Sequence, residues 1–139
     1  MEKVITYTSG KALGNPGAAG VGVYITSADG AVVQEVKKAI GNADTNFAAY
    51  YAVMLALNTL KQIYGAATNT MHFEFLLDNE LVKKQLNSEY QIHEPGLVPM
   101  FIEIHNQRVV DFPNTTITHV APAQNKEANR LASGAIAGK

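Results

Sequence analysis

Few residues in this chain could do chemistry, and they are scattered. Asp78 is a carboxylate that closes an apolar run over 71–77, and carboxylates bind Mg²⁺ through hard oxygen atoms or move protons. The four histidines at positions 72, 93, 105 and 119 lack metal-ligand spacing. With no cysteine, disulfides and thiolate chemistry are excluded. No Ser–His–Asp order, phosphate-binding loop or dinucleotide fingerprint occurs.

A second feature is a loop that carries Gly10, Gly14, Asn15, Pro16 and Gly17 between two runs of β-branched and aromatic residues. This pattern predicts a strand, a tight connection and a returning strand. Glycines allow another molecule to approach the main chain closely. The loop is therefore either a plain hairpin turn or a binding element.

The elements that must position these residues follow from periodicity. Asp29 and Gly30 give a strong hairpin signal, so the first three strands are antiparallel. The order is βββαβααβα, an α/β fold with a five-stranded mixed sheet flanked by helices, in a single domain over 1–139. The predicted strands are 3–8, 18–27, 31–40, 71–77 and 115–120, and the predicted helices are 46–63, 79–87, 97–109 and 124–137.

Apolar spacing also predicts which side chains are buried. In the long helix Tyr50 points inward, and Lys83 and Lys84 face out from the short helix that follows. The apolar members of the third strand are Val32, Val33 and Val36. The other predicted core positions, in the two middle helices, are Leu81, Val82, Leu86, Leu97, Met100, Phe101, Ile104 and Val109.

Composition limits the class of protein. The chain has 139 residues, 47% of them hydrophobic and 17% charged, with a formal net charge of −1. A dedicated nucleic-acid-binding protein is usually strongly basic, and this chain is not. The start has no secretory pattern and no apolar run is long enough to span a membrane. We therefore expect a cytoplasmic protein that has no membrane partner and no small-molecule cofactor.

Four short strings occur in an order and at intervals that resemble type 1 ribonuclease H, in the compact bacterial and archaeal form without a basic protrusion. The resemblance covers essentially the whole chain and implies the ribonuclease H-like fold. The strings are Tyr7-Thr8-Ser9-Gly10 with the Gly14–Gly17 loop, Thr45-Asn46-Phe47-Ala48-Ala49-Tyr50, Leu77-Asp78-Asn79-Glu80 with its helix, and His119-Val120 continuing into Asn125-Lys126-Glu127-Ala128-Asn129.

Enzymes of this family hold two Mg²⁺ ions with four carboxylates and cut the RNA strand of an RNA–DNA hybrid. The resemblance places those four positions at Ser9, Ala49, Asp78 and Asn129, so only Asp78 is a carboxylate. A neutral oxygen attracts a dication far less than a carboxylate does. We therefore expect no Mg²⁺, or a weakly bound ion at Asp78, and an inactive or strongly impaired enzyme. Natural loss and deliberate replacement stay open, as does an active enzyme with an unusual ligand set around Asp78.

Nucleic-acid binding is less clearly lost. The resemblance implies that Asn15, within the Gly14–Gly17 loop that also holds Pro16, and Asn46 contact the minor groove of the hybrid. The plain alternative is that these are a turn and a helix N-cap. Basic pairs are few, so we expect weak hybrid binding that is lost as salt rises. The alternative function is a non-enzymatic scaffold or interaction domain. The sequence leaves the oligomeric state open.

Overall fold

The computed structural model of this chain describes residues 2–138. Its strands are β1 (Lys3–Ala12), β2 (Gly17–Ser27), β3 (Val32–Ala43), β4 (His72–Leu77) and β5 (Thr115–His119). Its α-helices are α1 (Thr45–Tyr64), α2 (Glu80–Leu86), α3 (Val98–Val110) and α4 (Lys126–Ala137), with short 3-10 turns at Gly65–Asn69, Pro95–Leu97 and Pro122–Gln124. The predicted order βββαβααβα is confirmed.

The five strands form one mixed sheet in the order β3-β2-β1-β4-β5. Strands β1, β2 and β3 are antiparallel, as predicted, whereas β4 runs parallel to β1 and β5 parallel to β4. Parallel neighbours need a crossover, and helices supply it here. In the register of β1 and β4, Thr8 lies opposite Leu77. The residues that follow, Ser9 and Asp78, are therefore brought to the same edge of the sheet.

Helices cover both faces of the sheet, and glycines set how closely α4 approaches. Val21, Val23 and Ile25 pack with α1 in the core, while the alternate residues of β2 face α4. A Cβ added at Gly22 would lie 2.3 Å from the carbonyl oxygen of Ala128. Helix α4 therefore rests directly on the backbone of β2, a distance that only glycine permits.

The main core lies between α1 and the sheet. Tyr50 is fully buried there, as predicted, and the rings of Phe73 and Phe112 meet edge to face with centroids 5.1 Å apart. Helix α1 begins where the Asp44 side chain accepts a hydrogen bond from the Phe47 main-chain N–H at 2.8 Å. No helix within residues 2–138 combines the length and the apolar character that crossing a bilayer requires.

Strands β1 and β3 end later in the chain than predicted. Strand β1 continues past position 8 to Ala12, because Gly10 and Ala12 keep pairing with Val21 and Ala19 of β2. The predicted loop therefore shortens, and Gly10 belongs to the strand. Strand β3 likewise extends to Ala43 instead of ending at 40. Sequence patterns locate strands better than they locate their ends, because pairing with a neighbour decides where a strand stops.

Several burial predictions were wrong. Val109 is 63% exposed and Leu81 is 38% exposed. Each lies five residues from a buried residue of its helix, Ile104 and Leu86 respectively, which is about 140° around the helix at 100° per residue. Val32 and Val33, apolar members of the predicted third strand, are exposed at the start of β3. Lys83 and Lys84, predicted to face out, are partly buried and form ion pairs at the surface. Helix α4 begins at Lys126 and not at 124.

Candidate functional site

Three of the predicted site positions form a continuous hydrogen-bonded cluster. Ser9 lies in β1, Asp78 directly follows β4, and Asn129 lies in the first turns of α4. The Ser9 hydroxyl donates to Asn129 Oδ1 at 2.5 Å. Asn129 Nδ2 in turn donates to Asp78 Oδ2 at 2.9 Å. We call Ser9, Asn129 and Asp78 the polar cluster.

The charge of Asp78 determines how the Asn129 amide is oriented. A carboxylate accepts hydrogen bonds, so the amide must present its NH₂ group to Asp78. Its carbonyl oxygen then faces Ser9, whose hydroxyl can donate. Ser9 is 4% exposed, and a buried polar group without a partner is costly. The three side chains therefore satisfy one another within the protein.

Ala49, the fourth predicted position, lies against the same cluster. Together with Ser9 and Asp78 it lines a small cavity of about 10 Å³, and it is 5% exposed. Gly10 brings α1 this close, because a Cβ at Gly10 would lie 2.2 Å from the carbonyl carbon of Ala48. The fold therefore assembles all four positions, although a methyl group stands where the resemblance implies a carboxylate.

The donor set at this place does not fit a pair of Mg²⁺ ions. Mg²⁺ takes oxygen ligands in near-octahedral geometry, and the cluster offers one carboxylate, one hydroxyl and one amide. The amide turns its NH₂ group, which cannot bind a cation, toward Asp78. Among residues 2–138 no three His, Asp or Glu side chains converge as a metal site.

A cleft of about 790 Å³ opens beside the polar cluster. Its walls combine the end of β1, the start of α2 and the last turns of α4. Ser9 and Asp78 lie on one wall, and Leu13 and Ile136 make another part apolar. Leu13 is 73% exposed. Two members of the polar cluster, Ser9 and Asp78, therefore border this cleft.

Asn46 does not cap a helix, and its side chain makes two hydrogen bonds within the protein. Asp44 is the N-cap of α1, so the N-cap alternative for Asn46 was wrong. Asn46 Oδ1 accepts from Asn79 Nδ2 at 3.0 Å, and Asn46 Nδ2 donates to Glu94 Oε1 at 3.2 Å. These two hydrogen bonds join the start of α1, the residue before α2 and the loop before α3. The negative charge of Glu94 thus lies beside a residue predicted to contact nucleic acid.

The Gly14–Gly17 loop lies apart from the polar cluster and from the hydrogen bonds of Asn46. Gly14, Asn15 and Pro16 are exposed, and the loop is closed by a bond from the Leu13 N–H to the Ala18 carbonyl at 2.9 Å. The Asn15–Pro16 peptide bond is cis. Gly14, Asn15, Pro16 and Gly17 are absent from the cleft walls of the described chain. The structure therefore presents Asn15 on the surface without bringing it to the polar cluster.

The two pairs of adjacent lysines, Lys37–Lys38 and Lys83–Lys84, are mostly engaged within the protein. Lys83 pairs with Glu89 at 2.8 Å, and Lys84 lies 3.8 Å from Glu80. Lys38 donates to the Tyr51 hydroxyl at 2.7 Å. Surface pairs of this kind contribute little stability, but they lower the positive charge available to phosphates.

Two residues near the site were not predicted from the sequence. Asn79 caps α2 by accepting from the Val82 N–H at 3.1 Å and also holds Asn46. An Asn directly before a helix is a recognisable capping signal. Glu94 has no such signal, because only the fold brings it to Asn46.

Burial raises the pKa of Tyr50, and the charge of Glu94 raises it further.

Comparison with known proteins gives a consistent picture. A family model described as reverse transcriptase-like matches residues 8–135. The chain is 36% identical to LC11-RNase H1 isolated from compost, with a TM-score of 0.94 over 99% of this chain and 98% of that one. LC11-RNase H1 in complex with an RNA/DNA hybrid matches with 34% identity and a TM-score of 0.93, covering 97% of each chain.

Curated relatives extend the match. Ribonuclease HI of Halobacterium salinarum is 34% identical over 134 residues, which is 96% of this chain and 64% of that protein. A bifunctional protein of Mycobacterium tuberculosis is 30% identical over 135 residues, which is 35% of its length. The chain thus spans about two thirds or less of the length of these curated relatives. Because the family model and relatives above 30% identity cover nearly all of it, the chain belongs to the type 1 ribonuclease H family.

Proposed function

We propose that this chain is a ribonuclease H domain in which cleavage of RNA–DNA hybrid is lost or strongly impaired, with weak hybrid binding retained. The observation that carries the proposal is the polar cluster. Ser9, Asn129 and Asp78 bond to one another at the place where the family resemblance implies metal-binding carboxylates. Ala49 adds a methyl group and no ligand.

The electrostatics of the cluster favour this proposal. Four carboxylates close together repel one another unless cations neutralise them, whereas the present side chains carry one negative charge. Binding a dication here would require Asn129 to turn its NH₂ group away from Asp78. That rotation would break the hydrogen bond from Asn129 Nδ2 to Asp78 Oδ2 and would force the Ser9 hydroxyl to change from donor to acceptor. Satisfied buried polar groups resist such rearrangement.

Hybrid binding is supported by a different surface. LC11-RNase H1, which matches this chain along its length, has been solved with an RNA/DNA hybrid. The loop that carries Asn15 is exposed and intact here. A protein with few free lysines neutralises few phosphates, so affinity is low and falls with salt.

A second function, a non-enzymatic interaction domain, is favoured by one observation. The Asn46 side chain is already hydrogen-bonded to Asn79 and to Glu94 within the protein. A nucleic acid that approaches Asn46 meets the negative charge of Glu94 beside it. That charge repels phosphates and disfavours hybrid at this part of the surface.

The cleavage assay uses a labelled RNA–DNA hybrid with the parent chain and with the restored variant Ser9→Asp/Ala49→Glu/Asn129→Asp, each in Mg²⁺ and in Mn²⁺. We expect the parent to be inactive and the variant to cleave. Because Ala49 is buried, Ser9→Asp/Asn129→Asp is tested in parallel. The matched control Ser88→Asp/Ala66→Glu/Asn106→Asp makes the same chemical changes at exposed positions. Cleavage by the parent would overturn the proposal.

The two functions are separated by a binding titration at several salt concentrations. Retained recognition predicts that the parent binds hybrid more tightly than duplex DNA, with an affinity that falls steeply as salt rises. An interaction domain predicts no preference for hybrid at any salt concentration. The measurement is fluorescence anisotropy of end-labelled nucleic acids of identical sequence.

A further inference from the structure

The two edges of the sheet are not equally protected. Strand β5 forms one edge, where the Asn87 side chain donates to the Ile117 main-chain carbonyl at 2.9 Å. Strand β3 forms the other edge and pairs only with β2 among the described residues. An edge strand leaves a row of main-chain N–H and C=O groups free to pair with another strand. The outer edge of β3 is therefore an available pairing surface.

Two irregularities define which part of β3 is straight. The register with β2 shifts between Ile25 and Thr26, which leaves Val33 unmatched, and between Ala19 and Gly20, which leaves Ile40 unmatched. A β-bulge of this kind bends the strand and interrupts pairing. The regular segment is 34–39, and at about 3.4 Å per residue it is about 20 Å long.

The side chains of this segment alternate between the two faces. Glu35 lies on the face of α4, where Arg130 pairs with it at 3.1 Å. Lys37 shares that face and has no ion pair within residues 2–138. Val36 lies on the opposite face and packs against the core beneath α1. Lys38 is also on the α1 face, in contact with Tyr51.

The segment is complementary to itself when read in reverse. In an antiparallel pair of two copies centred on Val36, each Val36 faces the other, and Glu35 of each copy faces Lys37 of the second copy. Opposite charges directly across a pair of strands are favourable, and like charges are unfavourable. Gln34 then faces Lys38, which adds no like-charge contact.

We propose that the outer edge of β3 is a homodimerisation surface, in which two copies pair antiparallel about a two-fold axis at Val36. The two sheets then form one continuous ten-stranded sheet. Such an interface is isologous, because each copy contributes the same residues. The proposal is independent of hybrid binding and of cleavage.

Charge selects this register over its neighbours. A two-fold axis perpendicular to the sheet lies midway between two copies of one residue, which then face each other across the strand pair. Centring on Glu35 would set two carboxylates against each other, and centring on Lys37 or Lys38 would set two ammonium groups together. Centring on Gln34 or Ala39 avoids like-charge pairs as well, but of the six positions in the segment only Val36 as the centre sets opposite charges, Glu35 and Lys37, across from each other.

The size of the interface sets the expected affinity. A stable interface buries about 800 Å² per partner, and a pair of six-residue strands buries less than this. The association is therefore weak and depends on protein concentration. We expect the dimer to become populated between roughly 10 μM and 1 mM, as the free-energy scale for weak association indicates.

Sedimentation equilibrium of the full chain over that concentration range tests the proposal. Lys37→Glu, which sets a new carboxylate against Glu35 of the second copy, should raise the dimer Kd about tenfold. Glu35→Lys should have the same effect, and the swapped variant Glu35→Lys/Lys37→Glu should restore the parent Kd. Lys38→Glu is the matched control, because it makes the same charge change opposite the neutral Gln34. Thermal melts confirm that each variant is folded.

Restored association in the swapped variant, with Lys38→Glu near the parent value, would support the interface. A parent chain that stays monomeric at about 1 mM would overturn it; that is also the result expected if the edge binds another protein instead of a second copy. Equal effects of Lys37→Glu and Lys38→Glu would assign any dimer to a different surface and overturn the proposal as well.

Discussion

Replacing Asn129 by Asp tests whether the polar cluster stabilises the fold as described. The amide NH₂ of Asn129 donates to Asp78 at 2.9 Å, and the substitution replaces that donor with a second carboxylate. A favourable contact becomes a repulsive one without a change of side-chain size. We therefore expect Asn129→Asp to lower the free energy of unfolding at neutral pH.

The magnitude follows from two limits. A hydrogen bond to a charged group contributes about 1.5–3 kcal/mol, which sets the lower limit. The pair can escape repulsion by binding one proton, which costs about 1.36 kcal/mol for each pH unit above the ordinary Asp pKa near 3.9. At pH 7 that cost is about 4 kcal/mol, which sets the upper limit. We expect a loss of about 2–4 kcal/mol at pH 7.

The pH dependence has a definite sign. Repulsion raises the pKa of the carboxyl pair in the folded variant above its unfolded value. The folded variant then holds a proton that the unfolded chain releases, so its stability relative to the parent falls as pH rises from about 4 to the folded pKa. The loss of unfolding free energy relative to the parent should be small at about pH 4 and constant above the pKa of the folded variant.

The assay is urea unfolding of the parent and of Asn129→Asp at several pH values in EDTA. Asn106→Asp, an exposed position on α3, is the matched control, and we expect it to change stability by about 0.5 kcal/mol or less. An Asn129→Asp variant as stable as the parent at pH 7 would refute the reasoning. So would a deficit that is the same at pH 4 and pH 7.

The remaining predictions concern the surroundings of the site. Gly10→Ala should destabilise the chain by about 3 kcal/mol or more, because the new Cβ would lie 2.2 Å from the α1 backbone; a normal urea midpoint would contradict this. Tyr50→Phe removes the hydroxyl that donates to Gln85 Oε1 at 2.9 Å, so unfolding should become easier by about 1–3 kcal/mol, and an unchanged thermal midpoint would speak against it. Glu94→Gln removes a negative charge beside Asn46 and should strengthen hybrid binding by about twofold to tenfold at low salt; equal anisotropy curves for parent and variant would show that Glu94 does not limit binding.

Local patterns predicted the elements well where one face is buried and the other is not. The α1 helix shows this: its apolar spacing placed Tyr50 inward, and the structure buries it fully. The order of elements and the antiparallel first three strands were also correct. Strand ends were missed because pairing decides them, as when Gly10 and Ala12 continue the ladder with β2.

Side-chain contacts between distant elements could not be read from the sequence. Glu94 and Asn46 are 48 residues apart and meet at 3.2 Å, and nothing local to either residue signals the other. The polar cluster is similar, because resemblance gave its positions but not its hydrogen bonds. The burial of Val109 was predicted wrongly for a simpler reason. Its side chain is apolar, but its angle around the helix places it away from the buried face.

The central claim is that the fold of the enzyme is present with only one, Asp78, of the four carboxylates that the family resemblance implies. The most direct test is single-turnover cleavage of a labelled RNA–DNA hybrid, with the parent chain in large excess and either Mg²⁺ or Mn²⁺ present. We predict no product beyond the no-protein control, and product from the Ser9→Asp/Ala49→Glu/Asn129→Asp variant under the same conditions. Cleavage by the parent chain that Asp78→Asn abolishes would contradict the account, because it would show that a catalytic site forms around Asp78.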